Sequence, residues 1–300
     1  MKADAKAADT AWQAGRLTSL NGRQRLLFGQ MHEDAAIEQE AFCGMRRIFC
    51  IASAGDTAFC LSHRHEVVAC DINPVQLAYA ERRASGSPVE TGDAERVMQA
   101  LRAFAPAIGW RKETIRTFVA LTDTAEQVAF WRERLDTRRF RAAFDTLMSR
   151  PALRFVYAPQ FLSFLPAGFG AIMRRRLERG IALHANAANP YIRALLLGQR
   201  PTDPPPNGAN LQFILGDAAS VLAACAPASF DGFTLSNILD AAAPSYRHRL
   251  AQAIHRAATP GAIVVSRSFA EPSGPAASNH AARDRSMLWG IVDIHPAHSF

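Results

Sequence analysis

The residues best suited to chemistry are mostly acids. His32, Glu33 and Asp34 stand side by side, and Asp71 and Asp217 each follow a short apolar run. A histidine beside carboxylates can take a proton from an alcohol, because an unperturbed imidazole titrates near ~6.5. Asp240 is a further candidate base. An acid closing the second strand of a βαβ unit accepts hydrogen bonds from ribose hydroxyls, the place Asp71 takes in this chain. Asp217 stands where an adenine amino group would need a partner. Each acid alone could equally cap a helix, and a lone histidine is more often structural than catalytic.

Residues 46–77 must position these groups. Residues 48–51 form an apolar run, the mark of a strand buried on both faces. It ends in Ala52, Ser53, Ala54 and Gly55, small residues that let a ligand approach the backbone. A short helix over 57–61 and a second strand at 67–70 follow. Asn73 and Pro74 then open a helix to about residue 84. A nicotinamide-type turn would need G-x-G-x-x-G, and only Gly55 is present, so a pyrophosphate cofactor is disfavoured. Gly55 with Asp71 and Asp217 favours S-adenosylmethionine, as co-substrate. Ala52, Ser53, Ala54, Gly55, Asp71, Asn73, Asp217, Ala218, Ser236, Asn237 and Gln30 are its candidate contacts. Its carboxylate calls for a cation, Arg267 or Arg285, and its ammonium for Gln30, Glu33 or Ser236.

The rest of the chain frames this unit. Residues 1–45 read as a helical segment, with Asp34 capping a helix over 35–43 that Gly44 ends. Residues 46–87 carry the first half of a sheet domain, 88–210 a helical insertion, and 211–300 the second half. Strands are expected at 211–215, 230–235, 262–266 and, antiparallel at an edge, 289–294. The alternation predicts an α/β fold, a doubly wound, mostly parallel sheet. Within the insertion, Phe155, Tyr157, Phe161, Phe164 and Phe169 precede Arg174, Arg175 and Arg176. This run could rest on an anionic lipid surface, or form a lid with solvated arginines.

Composition excludes little. The net charge is +7, and the hydrophobic fraction of 49% suits a globular chain. No nucleic-acid module is visible. Five cysteines without ligand spacing read as reduced core residues, with no metal site. No signal peptide or spanning run is seen, so a cytoplasmic location, with peripheral contact at the inner membrane surface, is the expectation.

Six segments add a family resemblance: FGQMHEDAAIEQEAF, IASAGDTAF, DINPVQL, NPYIRALLLG, FDGFTLSNI and DRSMLWG, in that order. Together they resemble the diacylglycerol 3-amino-3-carboxypropyl transferases of betaine-lipid synthesis over most of residues 28–294. The resemblance implies a class I methyltransferase-like fold and transfer of the aminocarboxypropyl group of S-adenosylmethionine to a diacylglycerol hydroxyl, releasing methylthioadenosine. The chain departs from that family in a shorter insertion and in His32, where a tryptophan is expected. Two alternatives stand beside it: a methyl or aminocarboxypropyl transfer to a soluble small molecule, and a non-enzymatic lipid- or partner-binding protein.

Overall fold

The computed structural model describes residues 11–14, 24–157, 159–163, 165–199, 206–240, 242–273 and 279–300. Its centre is a six-stranded sheet in the order β3-β2-β1-β4-β5-β6. The strands are β1 (Arg47–Ile51), β2 (Glu66–Asp71), β3 (Leu211–Leu215), β4 (Phe230–Thr234), β5 (Ala258–Ser268) and β6 (Ile291–Pro296). The first five are parallel and β6 runs antiparallel to β5. The fold is α/β, a doubly wound, mostly parallel sheet. The chain moves outward from β1 to β2 to β3, then returns to lay β4 on the other side of β1. That reversal opens a crevice beyond the carboxyl ends of β1 and β4.

The helices are α1 (Ala36–Ala41), α2 (Asp56–Ser62), α3 (Pro74–Ala84), α4 (Asp93–Ala103), α5 (Lys112–Val119), α6 (Thr124–Phe130), α7 (Arg138–Leu147), α8 (Arg150–Val156), α9 (Pro159–Leu162), α10 (Phe169–Leu183), α11 (Pro190–Leu197), α12 (Ala218–Ala224) and α13 (Pro244–Ala257). One core sets Phe49, Phe233 and Val264 against α12 and α13. The opposite face buries Ile48, Cys50 and Val67 with Ile37 of α1 and Leu61 of α2. Covering both faces is why β1 and β2 read as unbroken apolar runs. Helices α4 to α11 fill the crossover between α3 and β3. They carry a core of their own around Phe118, Trp131, Leu135, Phe140 and Ile181.

Three expectations shift. The strand expected over 262–266 spans Ala258–Ser268, so Pro260 and Gly261 lie inside it. Gly261 takes φ 85°, and the pairing with β4 jumps between Phe230 and Gly232, so the proline occupies an irregularity rather than a turn. The last strand begins at Ile291, after Trp289 has turned its ring into the core. Helix α1 stops at Ala41, two residues early, with Gly44 at φ 79° just beyond. Two prolines interrupt the aromatic run: Pro159 opens α9, and Pro166 lies between α9 and α10. Among the described residues no helix is long and apolar enough to cross a membrane.

Candidate active site

The turn after β1 is held from several directions. Gly55 has φ 97°, and a Cβ there would lie 2.3 Å from the Phe59 ring, so only glycine fits. Its N–H donates to the Ala52 carbonyl at 2.7 Å. Ser53 also takes a positive φ, 43°, and its N–H donates to Asp71 Oδ2 at 3.0 Å. Arg83 of α3 grips the same turn, donating to the Ala54 carbonyl at 2.6 Å and to Asp56 Oδ1 at 2.8 Å. Asp71 accepts a second N–H, from Asn73 at 2.8 Å. Burial pushes its carboxyl up to about 7, with these N–H groups opposing.

Ser53, Asp71, Asp217, Ala218, Ser236 and Asn237 line one cavity of about 410 Å³. The structure therefore brings together most of the strand-end residues expected to meet a nucleoside. Tyr246 of α13 joins them, unforeseen from sequence. Four expected contacts stand outside this wall. Ala52, Ala54 and Gly55 are buried and shape the turn behind Ser53, and Gln30 is buried away from the cavity. Asn73 reaches the wall, but its amide is committed: Oδ1 accepts from Val75 N–H at 3.0 Å, capping α3, and Nδ2 donates to the Arg25 carbonyl at 2.8 Å. Asp217 caps α12 through Oδ1, accepting from Ser220 N–H at 3.1 Å, while also facing the cavity.

A strap of residues 27–33 contributes Leu27, Phe28, Met31, His32 and Glu33 to the cavity wall, tied down by polar groups that sequence reasoning missed. Gln76 Oε1 accepts from the N–H groups of Leu27 and Phe28 at 3.0 and 3.1 Å, and Tyr79 donates to the Gly29 carbonyl at 2.7 Å. Asp56 Oδ2 accepts from Met31 N–H at 2.7 Å. Glu95 Oε2 accepts from Gly29 and Gly92 N–H at 2.7 and 2.9 Å. Its Oε1 stands 3.4 Å from His32 Nε2. Burial works against the charge of Glu95, but the nearby His32 and the bond from Gly29 N–H outweigh it and hold its carboxyl below the usual range. A glutamate three residues after Gly92 is a readable helix-start signal. Its reach across 66 residues to Gly29 is not.

The three candidate catalytic groups separate. His32 and Glu33 line the cavity; Asp34 does not. Asp34 is locked to Arg285, Nε to Oδ2 at 2.5 Å and Nη2 to Oδ1 at 2.7 Å. Burial would raise its carboxyl, yet Arg285 holds it below the ordinary value, which removes it as a base. Glu33 is buried, accepts from the Ser236 hydroxyl, and has Oε2 at 3.4 Å from Arg267 Nη1. Burial raises its carboxyl to about 7, Arg267 opposing and Glu38 adding to the rise. Asp240 lies off the cavity wall, bonded by Ser268 Oγ at 2.5 Å and Phe269 N–H at 3.1 Å.

Neither arginine expected to hold a carboxylate is available for it. Arg267, wholly buried, binds Glu38 through Nη1 and, at 2.9 Å, through Nη2; its Nε reaches Asp284 at 3.0 Å. Among the described residues no arginine or lysine lines the cavity. The run of three arginines is also largely engaged internally. Arg174 pairs with Asp145 at 2.8 Å, and buried Arg176 donates to the carbonyls of Leu288 and Phe269 at 2.7 and 2.9 Å. Arg175 alone of the three stays on the outer surface.

Beyond the strap the same cavity widens into an apolar chamber. Val97 and Leu101 of α4, Phe144 of α7, Tyr157, Phe161 and Phe169 form much of its wall. Phe161 is buried and meets Trp12 edge-on at 4.9 Å between ring centres. Phe164 and the Phe155 side chain lie outside the described residues.

Comparison with known proteins leaves this geometry to speak for itself. No protein-family model and no curated protein matches the chain. Among solved structures it is similar to the glycopeptide N-methyltransferase MtfA, with 10% identity and a TM-score of 0.32. The match covers 78% of this chain and 53% of that one, so the chain spans about half the length of that protein.

Proposed function

We propose that this protein transfers the 3-amino-3-carboxypropyl group of S-adenosylmethionine to the hydroxyl of a diacylglycerol-like lipid. The observation that supports it is the single cavity of about 410 Å³ running from the strand-end acids into the apolar chamber. A nucleoside suits the polar end and acyl chains suit the other. Asp71 has lone pairs beyond the two taken by Ser53 and Asn73 N–H, as a ribose diol requires. The family resemblance supplies the choice of group, because which sulfonium carbon reacts depends on which is held in line with the acceptor.

In this reading the acceptor oxygen forms the new C–O bond as the C–S bond breaks. The electron pair leaves on sulfur, as neutral methylthioadenosine, and the hydroxyl proton passes to His32. His32 Nε2 stands 3.4 Å from Glu95 Oε1 without a hydrogen bond, and the imidazole is the base in this reading. Glu33, its carboxyl raised to about 7 by burial, receives the ammonium. The carboxylate is held by hydrogen-bond donors rather than by an arginine. Where the acceptor lies in a bilayer, exposed Arg138, Arg139, Arg150 and Arg154 of α7 and α8 are the cations that would face anionic lipid, in place of the 174–176 run.

Incubation with S-adenosylmethionine and a lipid extract, followed by mass spectrometry, tests the reading. Methylthioadenosine with a lipid heavier by the aminocarboxypropyl group is expected. S-adenosylhomocysteine would mean methyl transfer, and absence of any nucleoside product would remove the enzyme reading. Phe161→Asp is expected to cut lipid turnover at least 10-fold while leaving the Kd for S-adenosylmethionine within 2-fold, since Phe161 lines only the chamber. Equal loss of both would make Phe161 an ordinary core residue.

A further inference from the structure

The net charge of the chain is confined to one stretch. Residues 138–176 hold eight arginines against one acid, Asp145, which accounts for the whole formal +7. The remaining residues hold 26 basic and 26 acidic groups and balance. Within the stretch, Arg141 pairs with Asp136 at 2.6 Å and Arg174 with Asp145 at 2.8 Å, and Arg175 and Arg176 share Glu271. Arg138, Arg139, Arg150 and Arg154 are exposed and have no ion-pair partner among the described residues. Charge segregated in this way suits an extended anionic partner.

The same part of the insertion carries the mouth of the chamber. Leu147 of α7 lines the cavity and is 43% exposed, so the wall reaches solvent there. Leu165 lines it too, and Arg150 donates to the Leu165 carbonyl at 3.0 Å, which sets that arginine on the rim. Phe104, 69% exposed, follows α4 and precedes the turn Ala105–Ile108, which packs on α7. A cavity of about 410 Å³ is near the small end for one drug-sized ligand. It cannot enclose S-adenosylmethionine together with two long acyl chains. The chain ends must leave through the mouth.

We infer that α7 and α8 dock on an anionic bilayer with the chamber mouth against it. The four free guanidinium groups meet lipid phosphates, and Leu147 and Phe104 enter the acyl layer. The acceptor then offers its hydroxyl to the site while its tails stay in the membrane. The inference rests on the lipid reading of the cavity and names the surface from which the acceptor is drawn. A nucleic acid would satisfy the arginines but gives no use to exposed Leu147 and Phe104 beside an apolar opening.

The test is co-sedimentation of the full chain with phosphatidylcholine vesicles that contain or lack phosphatidylglycerol. Binding to the anionic vesicles is expected to be at least about 10-fold tighter and to weaken as salt is raised. Arg138→Gln, Arg139→Gln, Arg150→Gln and Arg154→Gln together should remove most of that preference. Arg64→Gln, Arg247→Gln, Arg249→Gln and Arg256→Gln remove the same charge from exposed positions of the sheet domain, and should leave binding within about 2-fold. Phe104→Asp changes an exposed side chain and should weaken binding to anionic vesicles even at raised salt. Equal binding to both vesicle types, equal loss in the two quadruple variants, or tighter binding to a DNA duplex than to anionic vesicles would overturn the inference. Product analysis with dioctanoylglycerol dispersed in detergent separates it from the transferase reading. Methylthioadenosine without vesicle binding would leave the chemistry and remove the docking; vesicle binding without methylthioadenosine would do the reverse.

Discussion

Replacing Arg267 with methionine is expected to destabilise the protein by about 3–5 kcal/mol, the cost of stranding buried charge. Arg267 is wholly enclosed, and Glu38, Asp284 and Glu33 all converge on its guanidinium. It contacts all three acids at once, and burial has already pushed Glu33 up to about 7. Without the cation the three acids lie buried together without their counter-charge, and Glu33, raised to about 7, ionises against the other two as pH rises. The loss is therefore pH-dependent: largest at pH 8, where protonation is hardest, and smaller at pH 6. Urea denaturation at the two pH values measures it. Glu38→Gln combined with Arg267→Met should lose less than the sum of the single changes, because it removes one stranded acid. A midpoint unmoved by Arg267→Met would mean that the cluster is wetter than its burial indicates.

That cluster shows where reading the chain from its residues succeeded and where it stopped. The βαβ unit was legible because its signals are local. The apolar run of β1, the single Gly55, and Pro74 behind Asn73 each act within a few residues. The observed α3, Pro74–Ala84, matches the expected helix. The crevice acids were legible for a similar reason: a doubly wound sheet must place strand ends together. What was not legible depends on contacts across the chain. Arg267 and Asp34 both read as groups that could meet a ligand, yet Arg267 meets Glu38 229 positions away and Asp34 meets Arg285 251 positions away. Nothing in the spacing of a charged residue says whether its counter-ion is a ligand or a distant side chain. Asn73 and Asp217 illustrate the open alternative of cap or contact. Asn73 resolved into a cap with both amide groups engaged, and Asp217 into a cap that also lines the cavity. The chamber was foreshadowed by its aromatics, but its junction with the crevice came from the strap at residues 27–33, whose ties to Gln76, Tyr79 and Glu95 no local pattern announces.

Asp71→Asn is expected to weaken S-adenosylmethionine binding about 100-fold, since two hydrogen bonds to a charged acceptor are worth ~1.5–3 kcal/mol each and the amide keeps only part of that. The pH dependence identifies the cause. In the ligand-free protein burial holds the Asp71 carboxyl up at about 7, against an ordinary 3.8. Between those values the folded state binds more protons than the unfolded one, so this group's contribution to stability falls as pH rises from about 4 to about 7. Glu33, raised from 4.5 to about 7, acts in the same direction. Asp34 acts oppositely, its contribution being lost only as pH falls below 3.8, outside this window. The ligand-free protein should thus melt at a higher temperature at pH 6 than at pH 8. Ribose hydroxyls donating to Asp71 require the ionised form, so they should favour the state that the empty protein resists. Affinity for S-adenosylmethionine should then be flat above pH ~7.5 and fall as pH drops below 7, with proton release on binding. Glu33, if it meets the ammonium, adds to that slope. Titration calorimetry in buffers of different ionisation enthalpy reads the released protons directly. Asp71→Asn should abolish part of that release and flatten the profile. A variant that binds weakly yet keeps the full wild-type slope would show that Asp71 shapes the turn through Ser53 and Asn73 without touching the ribose.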